Sequence, residues 1–423
     1  MSSDTYHLAP QPWMTASPVA RVLAALGVGE GVDVRFVGGA VRNAVMELPV
    51  SEIDLATPDL PARVIARLEN AGLKAVPTGL DHGTVMAIAD GVPFEITTLR
   101  RDTACDGRHA AVEFTTDWPE DARRRDFTMN ALSLKPGGTV FDDHGGVADA
   151  RAGRVRFVGA AADRIQEDYL RILRLFRFFA WYGRAPLDAA TLEACRTHAA
   201  GLARLSAERI QQELSKLLSA PSPTEAIKLM AQVGVLQHIV QGEANVDALA
   251  RLVALEATVN AAPLWLRRLA SLLPAGAENS IADRLKLSNA DREYLKTLAA
   301  AEPVLNDQTD PLHLRRALFR LGGPMVSDRV LLAWARRKDV VSAAQWRALL
   351  DVVENWTPKA LPIGGADVLA LGIKPGPTVG RFISAAEEWW IGANFEPGRS
   401  EILEHLRQMI THENGDKTTP EPL

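Results

Sequence analysis

The sequence predicts a small α+β head followed by a long all-helical remainder. Three observations carry that expectation. Strand-type runs bounded by turn residues are confined to the first third of the 423 residues. The pair Asp90-Gly91 separates two apolar runs by the two-residue spacing of a hairpin. Beyond residue 150 the strand signals fade, and apolar residues recur at steps of three and four.

In chain order, residues 33–37 (DVRFV) read as a strand that stops at Gly38-Gly39, and residues 40–47 as the start of a helix. Residues 53–56 (IDLA) are short, apolar and closed by Pro58, which suits a second strand. Helical spacing returns over 61–70, and 84–89 and 92–98 form the hairpin around Asp90-Gly91. The charged segment 99–113 (LRRDTACDGRHAAVE) reads as a mobile loop. Pro136-Gly137-Gly138 makes a turn between 127–134 and 139–142. Residues 161–182 read as one helix, with Ile165, Tyr169, Ile172, Phe176 and Phe179 as its stripe. Further helices are expected at 188–200, 205–219 and 223–234, and at intervals beyond, punctuated by prolines. Residues 357–379 are rich in Pro and Gly and read as a joint, followed by one amphipathic stretch over 380–411.

Composition narrows the class. Apolar residues make up 47% and charged residues 23%, so neither a disordered chain nor a fibre fits. Net charge is −5, weak evidence against a simple basic nucleic-acid binder. Two cysteines, Cys105 and Cys195, suit a reducing compartment. The amino-terminal segment has no apolar core of a secretory signal, and no run is long enough to cross a membrane, so a cytoplasmic protein with no membrane partner is expected. No P-loop, GxGxxG, GxSxG or HExxH is present.

The candidate chemistry lies in four other places. Gly38-Gly39-Ala40-Val41-Arg42 follows a strand and opens a helix, where two glycines let a phosphate approach the backbone and Arg42 adds a charged fork. Glu52 and Asp54, two apart, share one face of a strand, and Glu95 on another strand offers a third carboxylate. A solvated edge is the ordinary reading of such a pair. Its place ten residues after Arg42 favours a site for Mg²⁺, which prefers oxygen ligands. The run Arg123-Arg124-Arg125-Asp126 with Asn130 joins phosphate-neutralising cations to groups that can bond ribose hydroxyls. Asp168 and Arg171, three apart on the expected helix, are neighbours that together offer an acceptor and a donor to a base edge. Arg174 and Arg177 continue the row, although steps of three drift around the helix. Residues 151–218 hold 12 Lys plus Arg against 7 Asp plus Glu, a local basic surface on an acidic chain.

VGGAVRN, EIDLAT, EITTLRRD, RRDFTMNAL, FDDHGG, QEDYLRILRLFRF and AERIQQELSKLL occur in that order. The series resembles the class II tRNA nucleotidyltransferases, the CCA-adding enzymes and bacterial poly(A) polymerases. The resemblance is strong over 33–220 and patchy beyond, where GADVLALGIKPGPTVGRFI resembles the tail segment of CCA-adding enzymes. It implies a polymerase β-like head over 20–150, a base-recognising neck over 151–235, a body over 236–360 and a tail over 361–412; the polar end of the chain, 413–423, reads as disordered. It implies addition of C, C and A to tRNA 3′ ends from CTP and ATP, with two Mg²⁺ ions and no nucleic-acid template.

Carried over by position, the resemblance puts Gly38, Gly39 and Arg42 at the triphosphate and two Mg²⁺ at Glu52 and Asp54. It puts Arg125, Asp126 and Asn130 at ribose and phosphate, Asp168 and Arg171 at the incoming base, and Arg174 and Arg177 at further nucleotide contacts. Asp142, Gly145 and Gly146 match a DxxGG hinge motif, and 99–113 the flexible loop tied to the switch from C to A. Glu52 replaces the usual first Asp of the metal pair, and Asn43 an Asp that often follows the Arg. With no His-Asp dipeptide, the phosphohydrolase appendage of some relatives is missing. The alternatives are an enzyme adding only A or only CC, a poly(A) polymerase whose Arg-rich strand segment is not found, and a non-catalytic RNA-binding relative.

Overall fold

In the computed structural model, residues 6–105, 110–337 and 343–416 are described. The chain divides into two compact units, residues 1–246 with 262–292 and residues 247–261 with 293–423. The first unit opens on helix α1 (Ser17–Ala25), strand β1 (Arg35–Val37), helix α2 (Gly39–Val45), strand β2 (Asp54–Thr57) and helix α3 (Pro61–Asn70). Strands β3 (Lys74–Gly79), β4 (Thr84–Ala89), β5 (Val92–Thr98), β6 (Arg100–Cys105) and β7 (Ala110–Phe114) follow. Helix α4 (Trp118–Arg123), strands β8 (Ser133–Leu134) and β9 (Val140–Phe141), and helices α5 (Gly146–Ala152) and α6 (Ala161–Glu167) come next. Helices α7 (Leu170–Tyr182), α8 (Ala189–His198) and α9 (Ala207–Leu218) complete the part that builds the site.

Seven strands make one sheet in the order β3-β4-β5-β2-β1-β8-β9. Only β2 and β5 run parallel in it. Its register fixes what meets what: Val37 lies opposite Asp54, and Asp54 beside Glu95. Strand β4 shows why the sequence alternates, since Val85, Ala87 and Ala89 are buried while Thr84, Met86 and Ile88 are half-exposed. At the β4–β5 turn both Asp90 and Gly91 have positive φ, +51° and +79°, which is what a type I′ turn requires. Phe36, Leu55 and Ile96, from adjacent strands, are at most 1% exposed.

Four expectations need correction. Strand β3 was not anticipated, because its burial shows no regular alternation and it lies at a sheet edge. The segment read as a loop over 99–113 instead pairs β6 with β7 as a separate ribbon; residues 106–109 lie outside the described residues. Charges that looked like a solvated loop are its ties, with Arg101 reaching Glu113 at 2.9 Å and Glu120 at 3.3 Å. The helix expected over 161–182 breaks at Asp168, which is extended (φ −154°, ψ 108°) and accepts a hydrogen bond from the Leu170 N–H. The stretch 380–411 is two helices, Pro377–Gly392 and Arg399–Asp416, and a short helix, Gly365–Ala370, sits inside the expected joint. Most of the segment expected to be disordered, 413–423, lies outside the described residues, which end at 416.

In the second unit, one cluster gathers Leu252, Leu314, Val330 and Trp346, and another gathers Phe382, Trp390, Phe395, Ile402 and Leu406. No described helix is long and apolar enough to cross a membrane. In the first unit, Arg268 is 2% exposed and donates to the carbonyls of Leu218 and Ala220, at 2.6 and 2.7 Å, closing the end of α9.

Helix α5 is held at its start by one side chain. Asp142 accepts from the backbone N–H groups of Gly146 at 2.7 Å and Val147 at 2.9 Å. A Cβ on Gly146 would stand 2.1 Å from the Thr128 carbonyl oxygen, so only glycine allows this approach. Gly146→Ala is expected to destabilise the first unit by roughly 3 kcal/mol through forced backbone displacement, read as a lower denaturation midpoint at unchanged slope.

Candidate active site

The sheet register creates the site. Strand β1 ends at Val37 opposite Asp54, so the Gly38-Gly39 turn into α2 lies against the start of β2. Gly38 has φ +65°, and a Cβ there would lie 3.7 Å from both Asp54 Oδ2 and Arg125 Nη1. Glu52 precedes the strand rather than lying on it: β2 begins at Asp54, and Glu52 is exposed in the lead-in. Asn43 fixes that lead-in, accepting from Arg42 Nη2 at 2.9 Å and donating to the Pro49 carbonyl at 2.8 Å.

A cleft of about 570 Å³ opens here. Gly38, Gly39, Arg42, Glu52, Asp54, Arg125, Asp126, Asn130, Asp168, Arg171, Arg174 and Arg177 all line it. Of the residues expected at the nucleotide or among the carboxylates, Glu95 alone does not line it; it stands exposed beside Asp54 in the sheet. Leu170, Phe178 and Arg209 line it without having been anticipated, and Arg124 joins Arg125 there from the basic run. Seven arginines against four carboxylates make the wall attractive to a polyanion.

The arginines are held by polar partners. Asp121, 2% exposed, accepts from Arg124 Nη2 at 2.7 Å and from Arg125 Nη2 at 3.1 Å. The same carboxylate accepts from the Arg100 N–H, the first residue of β6, at 3.3 Å. Burial pushes the Asp121 carboxyl up, but Arg125 and Arg124 outweigh it and hold it below the usual range. Asp126 accepts from Arg174 Nε at 2.7 Å, from Asn130 Nδ2 at 3.0 Å and from the Phe127 N–H at 2.8 Å. Burial opposes its charge too, and Arg174, Asn130 and Phe127 together bring its carboxyl below normal. Glu213 of α9 accepts from Arg177 Nε at 2.6 Å. Arg42 donates to Asn130 Oδ1 at 2.7 Å and to the Tyr182 hydroxyl at 2.8 Å, and its guanidinium carbon stands 4.2 Å from the centre of the Tyr182 ring.

The expected pairing of Asp168 with Arg171 does not form. Arg171 is tied to Glu167 and to the Arg164 carbonyl, while Asp168 binds Arg209 Nη2 at 2.7 Å. The break between α6 and α7 is the cause, because Asp168 is not helical and the three-residue neighbour rule fails there. Asp121, Arg209 and Glu213 were missed because a partner far along the chain gives each its role, and no local spacing marks that.

The carboxylate group has its own electrostatics. Burial, then Glu95 and Glu52, push the Asp54 carboxyl up to about 6, against the pull of Arg125. Such mutual repulsion is what a cation would relieve. Among the described residues, no three His, Cys, Asp or Glu side chains are gathered closely enough to hold a metal ion alone. Mg²⁺ asks for less, since one or two carboxylates plus substrate phosphates commonly complete its shell. Glu52 and Asp54 at the mouth of an arginine-lined cleft supply that donor set.

The family called Poly A polymerase head domain matches residues 34–156, and the probable RNA and SrmB-binding site of polymerase A matches 186–244. A mouse protein, CCA tRNA nucleotidyltransferase 1, mitochondrial, is 34% identical over 394 residues, covering 91% of this chain and 89% of the mouse protein. A CCA-adding enzyme of Limosilactobacillus fermentum is 31% identical over 358 residues, covering 84% of this chain and 87% of that enzyme. Among solved structures, the Bacillus stearothermophilus CCA-adding enzyme in complex with CTP superposes with a TM-score of 0.74 at 25% identity, covering 95% of this chain and all of that one. A Thermotoga maritima CCA-adding enzyme complexed with tRNA shares the fold at 18% identity and a TM-score of 0.67, over 97% of this chain and 100% of that one.

Raising the Asp54 carboxyl from 3.8 to about 6 has a thermodynamic consequence. Folding binds a proton there, so its contribution is fully present below about pH 4 and is lost as pH rises through about 6. In chelator, Asp54→Asn is therefore expected to stabilise the protein above pH 6, by on the order of 2 kcal/mol, and to give no gain at pH 4. Denaturant midpoints for both proteins across that range check it; equal midpoints at pH 7.5 would contradict the repulsion.

Proposed function

The chain belongs to the CCA tRNA nucleotidyltransferase family, and on that premise we propose that it completes tRNA 3′ ends with C, C and A, taken from CTP and ATP. The observation that carries the reading is one cleft in which carboxylates at a strand start face a wall of braced arginines. The tRNA 3′-hydroxyl attacks the α-phosphate of the nucleotide in line, and pyrophosphate leaves.

The chain's own residues have separable tasks in this scheme. Gly38 and Gly39 leave room for the triphosphate to approach the backbone. Arg125, braced by Asp121 beside Asp54, neutralises phosphate charge next to the reacting centre. Asp126 and Asn130 orient the ribose, and Asp126 also holds Arg174 against the nucleotide. Arg42 spends its donors on Asn130, Asn43 and Tyr182, so it acts mainly by keeping Asn130 in place. Arg177 adds charge from the far wall, held by Glu213. Two Mg²⁺ ions would be held by Glu52 and Asp54, with Glu95 adding negative potential from the neighbouring strand. When bound, such ions activate the attacking hydroxyl and stabilise the departing pyrophosphate. Glu52 is longer than Asp by one methylene, and its place in an exposed lead-in outside β2 gives that extra length room.

Asp168 and Arg171 read the base. Cytosine and adenine both present an exocyclic amine beside a ring acceptor, whereas uracil and guanine present a carbonyl beside an N–H. An acceptor–donor pair of side chains therefore accepts C and A together. The cytoplasm is the compartment that goes with this reading, supported by the free, buried Cys195; the mouse relative is named mitochondrial.

Supplying tRNAs that end before CCA, after C and after CC, with CTP, ATP or both, tests the reading through product length. Full CCA addition is expected; stopping at CC, adding only A or tailing with many A residues would each replace it. Asp54→Ala is expected to abolish incorporation, by at least about 10³-fold, with melting behaviour retained. Near wild-type rates in that variant would remove the metal assignment. Asp168→Ala is expected to relax selection against UTP and GTP more than it lowers stability. Unchanged discrimination would remove Asp168 from base reading.

A further inference from the structure

We propose that Arg209 is a specificity-determining residue: from α9 it fixes the Asp168 carboxylate so that the cleft takes bases bearing an exocyclic amine and turns away those bearing a carbonyl at that place. This rests on Asp168 as a base reader and goes further, because neither the motif nor the spacing around Asp168 points to a residue 41 positions away.

The geometry is specific. Asp168 is extended between two helices, so its own helix does not limit its side chain. The terminal torsion of an aspartate is broad, and a lone carboxylate in an open cleft would rotate freely. Here each oxygen has its own anchor. Oδ1 accepts from the Leu170 N–H at 3.1 Å, and Oδ2 accepts from Arg209 Nη2 at 2.7 Å. Two anchors on different oxygens set both the direction and the plane of the group. Each oxygen keeps a second lone pair, so the fixed carboxylate still has acceptors to offer.

Arg171 cannot do this work. It is held by Glu167 and by the carbonyls of Arg164 and Arg124, on the other side of the helix break. Arg209 lines the same cleft as Asp168, and its side chain is 44% exposed there. An ion pair this exposed adds little to stability, so its worth lies in orientation. Orientation is what discrimination needs. A fixed acceptor bonds the amine of cytosine or adenine and repels the carbonyl of uracil or guanine. A rotating one could swing aside and let the wrong edge in. The repulsive element against wrong substrates is thus held in position by Arg209.

The test compares kcat/KM for CTP, ATP, UTP and GTP on tRNA lacking CCA, in the full chain and in Arg209→Ala, Arg209→Lys and Asp168→Ala. Arg209→Ala is expected to raise UTP and GTP use relative to CTP and ATP by roughly tenfold, the factor that losing one charge-assisted hydrogen bond is worth. Arg209→Lys keeps the charge without the fork and should recover part of the discrimination. A double variant, Arg209→Ala with Asp168→Ala, assayed alongside should discriminate no worse than Asp168→Ala alone, since both act through one group. A proportional fall for all four nucleotides, or an unchanged ratio, in Arg209→Ala would overturn the proposal while Asp168→Ala still relaxes selection. If Asp168→Ala itself leaves the ratio unchanged, the base-reading assignment fails and takes this one with it. Should Arg209→Ala melt early, Arg209→Lys alone decides: wild-type-like folding with relaxed selection supports the proposal, and wild-type-like selection contradicts it.

Discussion

Seven guanidinium groups face one cleft, and like charges so crowded repel one another until a polyanion arrives. Carboxylates paired with them make the arrangement possible. Asp121 braces Arg124 and Arg125, Asp126 braces Arg174, Glu213 braces Arg177 and Glu167 braces Arg171. Three of these carboxylates, Asp121, Asp126 and Glu213, are at most 8% exposed, so removing any one would strand charge in a poorly solvated place. Of these braces only Asp126 itself lines the cleft; Asp121, Glu213 and Glu167 do not. Attraction and order thus come from the same ion pairs.

The net charge of −5 therefore says little about the partner. Opposite charges are sorted by position. The carboxylates Glu52 and Asp54 sit just before and at the start of a strand, and the arginines sit on α2, α7, α9 and the segment after α4. General attraction for phosphate comes from the arginines and is indifferent to base identity. Selection is left to few groups, Asp168 and those that hold it, which is economical because discrimination depends on geometry more than on charge.

Much of this was readable in the sequence, for reasons that differ by residue. Asp90-Gly91 announced its hairpin because positive φ at both positions is a local demand. Asp54 and Glu52, and Arg125, Asp126 and Asn130, were legible because each set lies within a few residues of chain, although Glu52 proved to precede the strand rather than share its face. Asp168 and Arg171 were legible as candidates but not as a pair. The apolar stripe ran straight through the break between α6 and α7, and the capping bond to the Leu170 N–H that ends one helix and starts the next leaves no periodic trace. The ribbon of β6 and β7 was hidden by its own charges, since Arg101 and Glu113 look like solvated loop residues until they face each other across strands. Asp121 and Glu213 look like ordinary helix-surface acids until the fold buries them.

The bond from Arg42 to the Tyr182 hydroxyl spans 140 positions, and the brace on Arg177 is supplied by Glu213. Protein synthesis makes these partners in strict order. At roughly 5–20 residues per second, about ten to thirty seconds separate the appearance of Arg42 from that of Glu213. During that interval the head can form its sheet, and Asp121 can already brace Arg124 and Arg125, but Arg42 lacks its Tyr182 partner and the wall that carries Arg177 and Arg209 does not yet exist. Completion of α9 supplies both Arg209, the last residue that lines the cleft, and Glu213, the last brace, so the site exists as a whole only once that helix is made.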